Sequence, residues 1–325
     1  MRVLIGGSYP GNDHPRVVLK TFAASGFLTQ DCETLITIQR LLYSKPTFEH
    51  FRNQGNILPI PFDEDMFNST KKLVIGYCDY DGVMETVPSM KRAISIAKKA
   101  LEAKGHKLVA WKPDHIKEML MTYFRAMSVD GAPSTVTDLA NDIEISYPNK
   151  LSYQSLVAPF WLKWIISYIT MPLLGQLPGE SARQLKPGKN PNDCNLVYKI
   201  LVDYQKKFTD EFHAHKFDAL LWPSFPCPSV PLDLPRDMLG AISYTGLFNL
   251  MDWPAGVNPV TTVNKDDCLK MEQYPRNDMF HRAIYKGNKD EDAIGLPVAV
   301  QIAAPRYCEE IVLRLMLELE NELKN

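Results

Sequence analysis

The chain has 325 residues, of which 45% are hydrophobic and 23% are charged. This composition is typical of a globular protein and unlike that of a disordered or fibrous chain. The formal net charge is −2, and the lysines and arginines are spread along the chain. We therefore expect no nucleic acid among its partners.

The six cysteines lie far apart, and no two form a C-x-x-C pair. This spacing argues against a zinc ribbon and against a dense disulfide framework, so we expect free thiols and no metal site. The first residues, MRVLIGGSYPGNDH, lack the sustained apolar run of a signal peptide, and we expect no secretory leader.

Strand and helix patterns alternate along the chain. A β-branched apolar run at 72–77 predicts a strand, apolar residues at helical spacing follow it up to Gly105, and KLVAW at 107–111 reads as the next strand. Further elements are predicted as a helix over 196–215, a strand over 217–223, a helix over 239–251, strands over 257–263 and 296–303, and a helix over 307–323. The alternation predicts an α/β fold with a mixed or mostly parallel sheet covered by helices.

Three segments interrupt this alternation. The proline-rich stretches 172–192 and 224–238 lack periodicity, and we expect both to be surface or site-lining loops. Residues 265–293 are rich in charge and read as an insertion.

Residues 156–174, LVAPFWLKWIISYITMPLL, form the one membrane-like segment. Lys163, Ser167 and Thr170 make a narrow polar stripe on the predicted helix. The rest of its surface carries apolar and aromatic residues that we expect to contact a membrane, namely Trp161, Trp164, Ile165, Tyr168 and Ile169. A helix lying in the membrane interface, a buried core helix and a true span all remain open.

Common hydrolase and nucleotide motifs are missing. The nearest G-x-S-x-G candidate has Pro10 in place of the second glycine, no P-loop occurs, and none of the seven histidines has a Ser or Cys partner at a recognisable spacing. Without such motifs, the sequence indicates only an α/β protein, either soluble or at a membrane surface.

Longer segments resemble the amidase signature family, and within it the fatty-acid amide hydrolase branch. The resemblance is carried by GFLTQD at 26–31, PIPFDEDMF at 59–67, the strand and helix of 72–108, AISYTGLFNLMDWPAGVNPVTTV at 241–263 and GLPVAVQIAAP at 295–305. These segments occur in the family's order and cover roughly residues 20–325.

The resemblance implies a mixed central sheet covered by helices and a serine hydrolase that cleaves fatty-acid amides. The family uses a Ser-Ser-Lys triad without metal or organic cofactor, and backbone amides of a Gly/Ser-rich loop stabilise the oxyanion. The family's lysine and its G-G-S-S-G-G-E loop precede every matched segment, and that loop does not occur in this sequence. We therefore expect residues 1–325 to be a single, N-terminally incomplete amidase domain, inactive by itself. A non-catalytic lipid-binding or membrane-surface fragment is the alternative.

Ser8 is the one candidate nucleophile. The stretch Leu4-Ile5-Gly6-Gly7-Ser8 resembles the family's D-I-G-G-S, but Leu4 replaces the aspartate, and Ser8 lies only 23 residues before Asp31. The other alignment makes this stretch an ordinary Gly-Pro loop.

The resemblance also implies a lipid-recognition site. The residues at the family's acyl-channel positions are Met127, Thr245, Phe248 and Met251, with Tyr307 at an aromatic position. Ser128 replaces a family phenylalanine, and ordinary core packing is the alternative role of the apolar residues. Residues 151–178, which we call the cap segment, correspond to a membrane-docking cap. We accordingly expect a peripheral protein on a cytosol-facing membrane that binds a fatty-acid amide or similar lipid, with a homodimer left open.

Overall fold

One mixed sheet organises the molecule. A computed structural model of the chain describes residues 3–7, 25–51, 60–131, 133–141, 144–145, 150, 153–154, 156–188 and 190–324. The strands are β1 (Val3–Gly7), β2 (Ser25–Thr29), β3 (Val74–Tyr77), β4 (Lys107–Ala110), β5 (Ala219–Pro223), β6 (Ala255–Thr262) and β7 (Pro297–Ala303). They form a seven-stranded sheet in the order β2-β1-β6-β7-β5-β3-β4. Strand β3 pairs in parallel with β4 and β5, and the other neighbours are antiparallel. The predicted α/β fold with a mixed sheet is confirmed.

Helices connect and cover these strands. The first six are α1 (Cys32–Leu42), α2 (Lys45–Phe51), α3 (Glu64–Phe67), α4 (Pro88–Ala103), α5 (Ile116–Ser128) and α6 (Pro133–Ala140). The others are α7 (Phe160–Leu174), α8 (Gln176–Gln184), α9 (Pro191–Ala214), α10 (Ile242–Met251), α11 (Lys265–Lys270), α12 (Met279–Asn288) and α13 (Glu309–Lys324). Most predicted boundaries move by a few residues.

The predicted β-α-β unit is confirmed as β3, α4 and β4. Pro88 begins α4 at a position where its missing N–H costs no helical hydrogen bond. Met90, Ala93 and Ala97 lie on the buried face of the helix, as the spacing predicted. Gly105 has a φ of 90°, so it supplies the left-handed residue that ends the helix and turns the chain into β4.

The prediction of a loop over 172–192 is wrong for most of that segment. Residues up to Leu174 belong to α7, α8 occupies Gln176–Gln184, and α9 begins at Pro191. Pro178 lies in the first turn of α8, where the backbone N–H groups have no helical partner to lose. The side chain of Asn190 caps α9 by accepting a hydrogen bond from the N–H of Asn192 at 2.9 Å.

The other two segments that interrupt the alternation differ from each other in structure. Residues 224–238 remain largely irregular, with one 3₁₀ turn at Leu234–Asp237, so the loop prediction holds there. The charged segment 265–293 contains α11 and α12. Asn264 and Asp267 form a capping box at the start of α11, and Arg92 of α4 pairs with Asp267 at 2.6 Å, which attaches the segment to the sheet-covering layer.

All six cysteines lie within the described part of the chain, and none forms a disulfide. Cys32, Cys78, Cys227 and Cys268 are buried, and burial raises the pKa of the Cys32 thiol to about 12. The predicted free thiols are confirmed, and these four are packed as small apolar side chains.

Candidate functional site

Helix α10 carries three of the five predicted substrate residues, and they differ in their surroundings. Thr245 is exposed, whereas Phe248 and Met251 are each 1% exposed. The Phe248 ring meets the indole of Trp222 edge to face at a centroid distance of 6.2 Å. Phe248 and Met251 therefore belong to the hydrophobic core, and Thr245 alone of the three presents its side chain at the surface.

Helix α5, which carries Met127, packs directly on α10. Gly246 permits this approach, because a Cβ at that position would lie 3.2 Å from the ring of Tyr123. Met127 is half-buried and contacts the same core. Ser128 is buried, and its hydroxyl lies 3.1 Å from the carbonyls of both Phe124 and Gln184, so it joins α5 to the end of α8. The structure thus places Met127 on the helix next to α10.

A buried aspartate, Asp81, fixes the start of α10, and no sequence motif had indicated this role. Ser243 Oγ donates a hydrogen bond of 2.5 Å to Asp81 Oδ2, while Asp81 Oδ1 accepts from the backbone N–H groups of Val83 and Met84. Tyr244 Oη donates to the carbonyl of Met84 at 2.5 Å. Burial raises the pKa of Asp81 above its ordinary value despite these bonds. The network holds the β3–α4 connection against the helix that carries Thr245.

The other end of α10 lies next to the turn that carries Tyr307. Asp252 follows the helix in the left-handed conformation, with φ 55°, and Arg306 pairs with it at 3.2 Å. Tyr307 also has a positive φ of 64° and is 58% exposed. The Arg306–Asp252 pair brings this turn to the end of α10, which no sequence motif had indicated.

The cap segment displays its apolar residues outward. Every predicted membrane-contact residue of α7 is exposed, with fractions of 63% at Trp161, 49% at Trp164, 39% at Ile165, 53% at Tyr168 and 66% at Ile169. Lys163 turns the other way, and its Nζ donates to the carbonyls of Leu185 at 3.0 Å and Leu156 at 3.3 Å. Burial lowers the pKa of this lysine. The charged residue thus faces the protein and the aromatic residues face outward, the reverse of a helix on a water-exposed surface.

Two cations of the segment that follows α7 lie over its aromatic rings. The Arg183 guanidinium lies over the Tyr168 ring at 4.8 Å, and the Lys186 ammonium lies over the Phe160 ring at 5.6 Å. Gly175 joins α7 to α8 with a φ of 102°, and a Cβ there would lie 2.2 Å from the Cβ of Asp278. The junction of α7 and α8 therefore packs closely against the start of α12.

Within the described ranges, no helix combines the length and apolar character that crossing a membrane requires, and α7 has 15 residues. The same ranges contain no group of three His, Cys, Asp or Glu side chains placed to hold a metal ion.

Two buried histidines have structural partners. His281 Nδ1 lies 2.9 Å from Asp278, and its Nε2 accepts from the backbone N–H of Glu85. His106 Nδ1 accepts from the N–H of Leu73 at 3.1 Å, and its Nε2 lies 2.5 Å from Glu318. In these two histidines both ring nitrogens are occupied, so neither is placed to act as a base.

The candidate nucleophile Ser8 lies outside the described residues. Strand β1 ends just before it, and in that strand Gly6 pairs with Ala255 of β6. The role of Ser8 stays a prediction.

Comparison with known proteins gives one consistent result. A family model described as Amidase matches residues 18–313. Fatty acid amide hydrolase 1 of Caenorhabditis elegans is 31% identical over 302 residues, which are 92% of this chain and 51% of that protein. Fatty-acid amide hydrolase 1 of Sus scrofa is 33% identical over 298 residues, covering 91% of this chain and 50% of that protein. The chain thus spans about half the length of the curated relatives it matches.

Solved structures show the same fold. A structure of fatty acid amide hydrolase superposes with a TM-score of 0.69 at 15% identity, over 100% of this chain and 53% of the other. A 6-aminohexanoate cyclic dimer hydrolase complexed with substrate gives a TM-score of 0.60 at 16% identity, over 99% of this chain and 60% of the other.

Proposed function

Because the chain belongs to the amidase family, we propose that it takes part in the hydrolysis of fatty-acid amides to a fatty acid and an amine. In this proposal α7 lies on a cytosol-facing membrane as a peripheral contact, and the acyl chain of the lipid passes along α10 and α5. Residues 151–178 act as the cap within a single amidase domain.

The observation that carries the proposal is the outward apolar face of α7. An exposed aromatic and aliphatic face whose only lysine points into the protein is suited to a lipid surface, where tryptophan and tyrosine rings lie at headgroup depth. Soluble proteins seldom expose such a face without a binding partner. The similarity to fatty acid amide hydrolases supports fatty-acid amides as the class of lipid that the protein takes from this surface.

The chemistry we propose is that of the family. A serine attacks the amide carbonyl, a lysine relays its proton through a second serine to the leaving amine, and water then hydrolyses the acyl-serine ester. Backbone N–H groups stabilise the oxyanion that forms in each step. The G-G-S-S-G-G-E loop does not occur in this sequence, so we expect residues 1–325 alone to bind lipid amides without turnover.

Binding of a long-chain fatty-acid amide tests the acyl path. Thr245→Trp adds a large side chain at the exposed position on α10, and we expect it to weaken binding of a long-chain amide about tenfold, or about 1.4 kcal/mol. The control is Leu269→Trp, which is 64% exposed and lies on another helix, α11. Calorimetric titration gives both affinities, and equal binding by wild type and Thr245→Trp would show that the acyl chain takes another path.

A non-catalytic lipid-binding protein is the second candidate function. It is supported by the outward apolar face of α7, which suits a lipid surface with or without amide hydrolysis. A fluorophosphonate probe can refute the second candidate, because the probe labels only an activated serine. Labelling of the wild type that is lost in Ser8→Ala would refute the non-catalytic candidate. An unlabelled chain that still binds the amide is expected under both candidates.

A further inference from the structure

The first turn of α12 contacts both the cap segment and the β3–α4 connection, residues 78–87. Asp278, which caps α12, packs against Gly175 at the α7–α8 junction, where an added Cβ would lie 2.2 Å from the Cβ of Asp278. His281 reaches the connection, because its Nε2 accepts a hydrogen bond of 3.4 Å from the backbone N–H of Glu85. One helical turn therefore touches two parts of the fold that are far apart in the sequence.

Asp278 and His281 form a buried pair, and each is 7% exposed. Asp278 Oδ1 lies 2.9 Å from the backbone nitrogen of His281 and 2.9 Å from its ring Nδ1. Since Nε2 accepts from Glu85, the proton of the neutral ring is on Nδ1, which donates to Asp278. Burial acts to raise the pKa of Asp278, but the hydrogen bonds from His281 outweigh it, and the pKa lies below its ordinary value. The structure thus defines one tautomer of His281, with both ring nitrogens bonded.

The contact with Glu85 extends to α10 through neighbouring residues. The carbonyl of Glu85 accepts a hydrogen bond of 2.6 Å from Tyr274 Oη. The carbonyl of the preceding residue, Met84, accepts from Tyr244 Oη of α10 at 2.5 Å. Two successive residues of the connection are therefore held, one by α12 and the other by the helix that carries Thr245. A change at Glu85 is transmitted to α10 over a single peptide unit.

Protonation of His281 would change one of its two ring contacts. An imidazolium has an N–H group at each nitrogen, so Nε2 no longer accepts from Glu85, and two N–H groups face each other. The bond from Nδ1 to Asp278 persists and gains charge. Histidine is the side chain whose charge ordinarily changes between about pH 5 and 8. Acid therefore breaks the contact between α12 and the connection while α12 keeps its cap.

Titratable groups from three elements face His281. They are Asp278 on its own helix, Tyr274 with its ring centroid 6.0 Å from that of the imidazole, and Glu85, whose carboxylate pairs with Lys91. A second group of the same connection also responds to acid, because burial raises the pKa of Asp81. Variants of His281 separate these two sources of pH dependence.

We propose that neutral His281 holds the start of α12 to the β3–α4 connection, and that its protonation at acidic pH releases this contact and weakens lipid-amide binding along α10. His281 is a positioning residue here, since it reaches α10 only through Glu85 and Met84. The effect on lipid-amide binding rests on the proposed function, whereas the release of Glu85 does not.

Hydrogen–deuterium exchange of the full chain at about pH 7.5 and pH 5.5, values that bracket the ordinary titration of imidazole, tests the release. Protection factors for the Glu85 amide correct for the intrinsic effect of pH on exchange. In the wild type we expect protection to fall about tenfold at the lower pH, as one hydrogen bond is lost. His281→Gln offers an amide oxygen that does not titrate, so Glu85 should stay protected at both pH values. His281→Phe has no acceptor and should leave Glu85 unprotected at both.

His213→Gln is the matched control, because His213 is exposed on α9, and this variant should respond to pH like the wild type. Circular dichroism confirms that each variant is folded. Should His281→Phe fail to fold, the wild type and His281→Gln still decide the outcome. Equal protection of Glu85 in the wild type at both pH values would overturn the proposal. So would a pH dependence that persists in His281→Gln, since that result would assign it to Asp81.

Calorimetric titration with a long-chain fatty-acid amide at the same two pH values tests the link to α10. The wild type should bind severalfold more weakly at the lower pH, and His281→Gln should bind equally at both. Equal wild-type binding while Glu85 is released would overturn this link. Absence of amide binding at either pH would refute the proposed function, and the protection factors would still decide whether His281 holds the connection.

Discussion

Glu318 illustrates how single residues in this fold depend on their neighbours. Its carboxylate lies 2.5 Å from His106 Nε2 and accepts a hydrogen bond of 2.9 Å from Arg314 Nε. Burial acts to raise the pKa of Glu318, but the hydrogen bonds from His106 and Arg314 outweigh it, and the pKa lies below the ordinary value of 4.5. A carboxyl group with a lowered pKa in the folded state stabilises the protein above its unfolded pKa, and this stability is lost as the pH falls through the folded value.

We therefore predict that Glu318→Gln is destabilising by about 1–2 kcal/mol at pH 7, because it removes the charge that His106 and Arg314 bind. The difference from wild type should shrink as the pH falls below 4.5, when the native carboxyl becomes protonated as well. Urea unfolding at a series of pH values measures both effects. Glu272→Gln, in an exposed pair with Arg276 at 3.9 Å, serves as control and should change little. A destabilisation by Glu318→Gln that is independent of pH would contradict this account.

At the scale of elements, the close packing of β6 against α13 depends on a glycine, Gly256. A Cβ at Gly256 would lie 2.0 Å from Met316 Sδ and 3.2 Å from Val312 Cγ1. The strand and the helix approach each other so closely because glycine stands at this position. The same helix contributes Glu320, which accepts a hydrogen bond from the backbone N–H of Cys32, so α13 also holds α1 in place.

Gly256→Ala is predicted to destabilise the fold by about 1–3 kcal/mol, since the added methyl group overpacks this contact. In Gly256→Ala/Met316→Ala the obstructing sulfur is gone, so the double variant should lose less stability than the sum of the two single variants. Urea denaturation of the four proteins gives the coupling energy. Strictly additive losses would show that the two side chains do not compete for the same space.

The sequence predicted elements well where one local pattern decides them. The spacing of Met90, Ala93 and Ala97 was sufficient for α4, since one face of that helix is apolar and one is polar. The sequence did not predict α8, because Pro178 reads as a loop signal unless it is known to lie in a first helical turn. Relations between distant residues had no local signal at all. Ser243 and Asp81 are 162 positions apart, and Gly175 and Asp278 meet only once the fold brings them together.

As with the elements, the sequence predicted one part of the candidate site and missed another. The resemblance placed Thr245, Phe248 and Met251 on one helix, and the apolar residues of α7 were recognised before their orientation was known. Core burial of Phe248 and Met251 and the inward direction of Lys163 depend on packing against other elements. Those features follow from tertiary contacts, which no periodicity within a single helix can reveal.

At the scale of the whole molecule, an exposed apolar face lies on an amidase-family core. That face belongs to α7, whose exposed tryptophan, tyrosine and isoleucine side chains carry no charge and whose lysine points into the protein. In our account this uncharged face contacts lipid. The central claim is that α7 brings the protein onto a membrane from which its lipid substrate is taken.

Vesicle flotation tests this claim most directly. Wild-type protein should float with neutral phosphatidylcholine vesicles, and Trp164→Ser/Ile169→Ser should lower its partition coefficient at least about tenfold, because two exposed apolar side chains no longer enter the interface. Leu41→Ser/Leu269→Ser is the matched control, since these residues are 67% and 64% exposed on other helices, and it should float like wild type. A wild type that stays with the soluble fraction, or an α7 variant that floats as well as wild type, would contradict the account.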